Sequence, residues 1–283
     1  VTGPAGDVDP PVLPLAAYDE TKRLRGALVN FACHPDVIGG ATADFVSADW
    51  PGMTCDALSG IYGDDTVFVL MQGASGDINH NSNRDDFIPR GGPLRAGLIG
   101  RAVAGAAALA IESASRDLEP KISGTQRMVE IPFLTRTEAD FERARQIKKR
   151  IEAGEELHWT TSRFVDRIEN WQFDNKAESV RIQAARIGDA AFVAMPGEIF
   201  TALSVEVRRY SPACETFFAE LAAGLNGQTG YKAPIQQADR NAYGQQPFVS
   251  RRHVVEAGNM MANAAIALVN GLWNDSEAPD PRG

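Results

Sequence analysis

Residues 28–35 read LVNFACHP. Leu28 to Cys33 is a short, nearly continuous apolar run of the kind shown by strands buried on both faces. It stops at His34, whose backbone is held extended by Pro35 behind it. Two further runs repeat the pattern, Val67 to Met71 (VFVLM) and Ala190 to Met195 (AAFVAM). The first breaks into GASGDIN at 73–79 and the second into Pro-Gly-Glu at 196–198. A helical pattern follows each run, at once or after an excursion. The layout predicts an α/β fold, a mixed, largely parallel sheet with helices on both faces, in which ligands sit at the carboxyl ends of the strands.

Outward from these strands, residues 93–115 (PLRAGLIGRAVAGAAALAIESAS) form the most apolar helical stretch. Arg95 and Arg101 interrupt it and the run after Arg101 is far short of a bilayer span, so it reads as a helix packed on the sheet, and no transmembrane segment is expected. Glu138 to Glu156 has the charge and spacing of a solvated helix in an insertion, and GTQRMVEIPF at 124–133 alternates as an edge strand leading into it. The expected organisation is a linker or processed segment over 1–20, one catalytic domain over 21–273 and a tail over 274–283.

The 283 residues are 44% apolar and 23% charged, which permits a sizeable core and rules out a mostly disordered chain. A net charge of −9 argues against nucleic acid or an anionic membrane surface as the main partner. Cys33, Cys55 and Cys214 cannot form a disulfide framework, although one pair could bridge. The chain opens on Val1, so it is expected to be processed or to be one piece of something longer.

The chemistry-bearing candidates lie at the strand ends. His34 is presented as a metal ligand or general base would be; a core histidine bonded to a carbonyl explains it equally well. In SADWPG, residues 47–52, Asp49 reads as a helix N-cap, with a role in holding His34 left open. GASGDIN is a tight turn carrying Asp77; it lacks the Lys-Ser or Lys-Thr of a phosphate loop and the frame of a nucleophile elbow. In MPGEIF, residues 195–200, Glu198 opens a helical pattern where the helix dipole favours an acid. Placed beside strand ends that carry His34 and Asp77, it suggests a metal. Tyr231 projects from NGQTGYKAP at 226–234, either as a functional group or as a packing aromatic. His80, His158 and His253 lack ligand-like spacing and read as surface or locally bonded residues.

The order and wording of these stretches resemble the neutral/alkaline ceramidases and their shorter bacterial relatives. NFACHP is similar to the strand-His motif that supplies a zinc-binding histidine, SADWPG to the Ser-Gly/Ala-Asp helix start, and QGASGDIN to the Asn/Gly-Ala-Gly-Asp loop. MPGEIF is similar to the Pro-Gly-Glu-Phe motif with a zinc-binding glutamate, and NGQTGY with Tyr243 to the loop holding a zinc-binding tyrosine and a second tyrosine at the carbonyl. The resemblance covers about residues 20 to 272. It implies His34, Glu198 and Tyr231 as ligands of Zn2+, with Tyr243, Asp77 and Asn79 as catalytic positions. The implied reaction is hydrolysis of an amide by metal-bound water, with a small-molecule amide, lipid-like ones included, as substrate.

Three departures qualify that expectation. Asn79 stands where the ceramidases have serine, Gly244 follows Tyr243 in place of glutamate, and the family's His-x-His-Ser-Gly motif is absent. A second chain carrying the missing N-terminal part is therefore expected, in a periplasmic or secreted setting rather than a cytoplasmic one. The alternative is a metal-free structural or binding subunit. A serine or N-terminal-nucleophile hydrolase is disfavoured, because Val1 is no nucleophile.

Overall fold

Leu28 to Phe31 of the LVNFAC run form the second half of a strand, β2 (Leu24–Phe31), which pairs antiparallel with β1 (Leu13–Tyr18) and parallel with β3 (Val67–Gln72). The computed structural model describes residues 8–39, 44–80, 89–115, 117, 119–222, 230–240 and 243–274. β1 lies inside the stretch 1–20 expected to be a linker or processed segment. Its sequence LPLAAY has little intrinsic strand preference, and the strand exists through its pairing with β2. The turn between them is closed by the Asp19 side chain, which accepts from the backbone of Thr21 and Arg23 at 2.9 and 3.0 Å. β3 also differs from its reading: Val67 and Val69 are 64% and 50% exposed, so the VFVLM run is covered on one face only.

Helices α1 (Asp49–Tyr62) and α2 (Pro93–Ser113) pack with this sheet around Val29, Trp50, Leu58, Val103 and Ala107. They approach closely because α2 presents Gly100 to Met53; a Cβ there would sit 2.8 Å from the Met53 Cβ. The second sheet runs in the order β4 (Ile122–Pro132), β5 (Ala177–Ile187), β6 (Ala190–Ala194), β8 (Glu215–Ala219). β4 is its edge, as the alternating sequence predicts. Helices α5 (Thr201–Arg209) and α6 (Ala257–Gly271) enclose its core with Ile131, Ile182, Val193, Leu203, Phe218 and Met261.

The insertion between β4 and β5 is a helical hairpin, α3 (Glu138–Glu152) and α4 (Trp159–Asn170). Thr137 and Asp140 form a reciprocal capping box at the start of α3. The hairpin has its own apolar cluster, with Ile147, Phe164, Ile168 and Trp171 packed on Phe248. A third pairing joins two short strands, β7 (Glu198–Ile199) and β9 (Tyr231–Lys232), in parallel.

The fold is thus α/β with mixed sheets, and the single open sheet is replaced by three. Parallel pairing occurs in β2–β3, β6–β8 and β7–β9; β1–β2, β4–β5 and β5–β6 are antiparallel. The two larger sheets are clamped by Asn30, which is 2% exposed. Its amide donates to the carbonyls of Met71 and Phe218 at 2.9 Å each and accepts from the Phe218 N–H at 2.9 Å. The clamp brings the carboxyl ends of β2, β3 and β8 together.

Candidate functional site

His34 leaves β2 at that meeting point. Its Nδ1 lies 3.0 Å from the carbonyl oxygen of Ile78, which only accepts, so Nδ1 carries a proton. Nε2 then faces Glu198 Oε2 at 3.2 Å. Two lone-pair groups at that distance need a cation between them. Without a metal a proton fills the role: the Glu198 hydrogen bond outweighs burial and lifts the His34 pKa to about 9, with Glu220 and Asp36 adding negative potential. A metal ion suits the same place, because the carbonyl bond leaves Nε2 as the free ring nitrogen.

Glu198 is held in turn. Burial pushes its carboxyl up, but hydrogen bonds from His34 and Tyr231 prevail and keep it below the usual carboxylate range. Glu198 sits opposite Tyr231 in the β7–β9 register, so backbone pairing places the phenol beside the carboxylate. The Tyr231 ring packs edge-on against Phe200, with centroids 6.4 Å apart. Among the described residues no three His, Cys, Asp or Glu side chains group as a metal site. The donor set here is one imidazole nitrogen, one carboxylate and one phenol, a mixture that a borderline metal accepts.

No protein-family profile and no curated protein matches the sequence. Solved structures do. The chain superposes on neutral ceramidase from Pseudomonas aeruginosa with a TM-score of 0.68 at 16% identity, covering 94% of this chain and 48% of that one. A ceramidase complexed with C2 gives a TM-score of 0.68 at 15% identity, covering 96% of this chain and 50% of that one. The chain has the fold of the neutral ceramidases. It spans about half the length of the two ceramidases. The resemblance read from five short motifs is therefore matched by the fold of almost the whole chain.

Within this ceramidase fold, several predicted positions fall differently from their local reading. Glu198 does not start a helix: α5 begins at Thr201, and Glu198 is drawn into strand pairing with β9. Asp49 does not cap α1 from outside. It lies within the first turn at φ 54°, accepting from Trp50 N at 2.7 Å and from Ile38 N at 2.6 Å. It does not touch His34, but it ties down the loop that follows, while Trp50 Nε1 donates to the His34 carbonyl at 3.3 Å.

Asp77 caps α5 across space, one oxygen accepting from Thr201 N and Oγ1 at 2.7 and 2.8 Å. Asn79 is exposed on the same loop. Tyr243 opens a 3-10 turn (Tyr243–Gln245); its side chain lies outside the described residues, as does the 223–229 part of its loop. Gly244 packs so closely that a Cβ would lie 3.2 Å from the Tyr231 ring.

His80 is bonded to Asp36, 44 residues away, and His158 is locally bonded as expected, at the start of α4. His253 is not: it is 1% exposed, stacked on Phe133 and 3.0 Å from Glu178. All three cysteines are free thiols. The reading also missed Glu220, a 4% exposed carboxylate directly after β8. The one signal available was an acid ending the apolar run TFFA.

Proposed function

We propose that this chain carries the site of a zinc-dependent amide hydrolase of the ceramidase type. The observation that carries the reading is the approach of His34 Nε2 to Glu198 Oε2 at 3.2 Å, a pair that requires a cation at the carboxyl ends of the strands. Zinc, when bound there, supplies a Lewis acid and lowers the pKa of water at the site. His34 is oriented for it by Ile78, Glu198 by strand pairing, and Tyr231 by its bond to Glu198 and its contact with Phe200.

Tyr243 is the donor to the oxyanion that develops at the substrate carbonyl. Asp77 sets the position of α5 relative to the β3 loop, and Asn79 offers an amide to the substrate where the ceramidases have serine. The substrate is a small-molecule amide, with lipid-like amides in the class. The reading includes a second polypeptide at the site and a periplasmic or secreted setting.

A metal-free binding or structural subunit is the second reading; it is favoured by the ability of His34 and Glu198 to satisfy each other with a proton. Metal analysis with a fluorogenic N-acyl amide separates the two. The first reading predicts about one zinc per site and hydrolysis, both lost in His34→Ala and in Glu198→Ala. The second predicts no bound zinc and no hydrolysis.

A further inference from the structure

Three backbone segments bear the donors or their immediate neighbours: Cys33–His34 after β2, Ser75–Asp77 after β3, and Glu198–Ile199 in β7. One buried carboxylate joins all three. Glu220 Oε1 accepts from Ser75 Oγ at 2.5 Å, and Oε2 accepts from Ile199 N at 2.7 Å. Gln72 Nε2 stands 3.4 Å from Oε1 and donates to Ser75 Oγ at 2.6 Å and to the Cys33 carbonyl at 2.8 Å. Ser75 is fully buried, and the circuit is closed by Gly76 N donating to Ile199 O at 2.8 Å.

The backbone around Glu220 belongs to the same knot. Glu220 N donates to Gln72 O at 3.1 Å, and Leu221 N donates to Gly197 O at 3.0 Å from a residue held at φ 54°. A leucine in the left-handed region persists only where its surroundings fix it.

Every group that points at the carboxylate is a donor, so the position calls for a side chain that only accepts. A glutamine of the same shape would turn an NH2 toward the Ile199 N–H or toward Ser75 and Gln72. An aspartate is one methylene too short to bridge Ser75 and Ile199 together.

We infer that Glu220 is the positioning residue of this site: its carboxylate fixes the spacing of His34 and Glu198 through their backbone neighbours, touching neither side chain. The consequence for metal binding rests on the proposed zinc reading; the consequence for local structure does not.

The test uses the full chain with Glu220→Gln, and Asp9→Asn as a matched control. Asp9 is also a buried carboxylate, 5% exposed and bonded to Ser204 and Arg208. Zinc affinity is measured by competition with a chelator, and amide exchange is followed at Ile199 and Gly76 relative to the core amide of Val193. In Glu220→Gln, zinc binding should weaken by about 10–100-fold, the usual effect of removing an outer-shell partner. Exchange at Ile199 and Gly76 should quicken by about tenfold or more relative to Val193, because Ile199 N loses its carboxylate acceptor and Gly76 N is bonded to the carbonyl of that same loosened residue. Asp9→Asn should change neither, whatever it does to the unfolding midpoint.

Zinc affinity within about twofold of the parent, or unchanged exchange at Ile199, would overturn the inference. A parent protein that takes up no zinc with any companion polypeptide retained defeats the proposed function instead, and the exchange readout then decides the role of Glu220 alone. If Glu220→Gln does not fold, Ser75→Ala removes one arm of the knot and leaves the carboxylate in place. It is held to the same two readouts.

Discussion

Raising the pH of the zinc-depleted chain from about 7 to about 9 should leave its unfolding free energy nearly flat, because His34 and Lys232 drive it in opposite directions. The His34 pKa rises from 6.5 to about 9 on folding, so its stabilisation is complete below 6.5 and is lost as the pH climbs through 9. Lys232 is fully buried in β9, and burial lowers its pKa from 10.5 to about 7. The unfolded chain then binds the extra proton between those values, so stability is recovered as the pH climbs from about 7 toward 10.5.

Across the shared two-unit window each group moves the balance by about 2 kcal/mol, with opposite sign. Little of the His34 term is lost to solvent, since its side chain is only 23% exposed. Urea unfolding in chelator at several pH values tests the cancellation. Lys232→Met should expose a fall of about 2 kcal/mol over the window, and His34→Gln a rise of similar size. Saturating zinc should act on the parent as His34→Gln does, because the ring nitrogen then no longer takes the proton. Slopes of the same sign in the two variants, or flat profiles in both, would refute the reasoning.

Three further outcomes follow from close contacts. In Gly76→Ala the new Cβ would lie 2.6 Å from the Glu198 carbonyl oxygen and 2.8 Å from its carbon, both backbone, so the loop after β3 must shift. A loss of about 1–3 kcal/mol in urea unfolding, with weaker zinc binding, is expected. Asn30→Leu strips the clamp from the Met71 and Phe218 carbonyls and the Phe218 N–H, all bonded at 2.9 Å; denaturation should show a cost of about 3 kcal/mol. Arg136→Ala removes the bonds to Asp174 and to the Ile168 carbonyl that moor the helical hairpin. Exchange in α3 and α4 should quicken, with zinc affinity unchanged.

The placement of single candidates within one short motif was legible in the sequence. His34 and Glu198 each stand after an apolar run and Tyr231 in a Gly-rich loop, and folding brings the first two to 3.2 Å and the last two into register. What was illegible depends on pairing across the chain. Asp49, two residues before Pro51 in SADWPG, looks like a cap, and nothing local reveals that its other oxygen is spent on Ile38. Glu198 reads as a helix start because its strand partner is a distant two-residue segment. Glu220 ends an ordinary apolar run, and its meaning comes from Ser75, Gln72 and Ile199, which only the fold brings to it. β1 was invisible for the same reason: LPLAAY becomes a strand by pairing with β2.

The account turns on whether His34 and Glu198 hold a metal that performs amide hydrolysis. The most direct measurement is the zinc content of the native protein, with any companion chain retained, taken alongside hydrolysis of an N-acyl amide in parent, His34→Ala and Glu198→Ala. The account predicts about one zinc per site in the parent, with metal and hydrolysis lost together in both variants. Hydrolysis that persists in chelator, or zinc that remains at full content without His34, would contradict it.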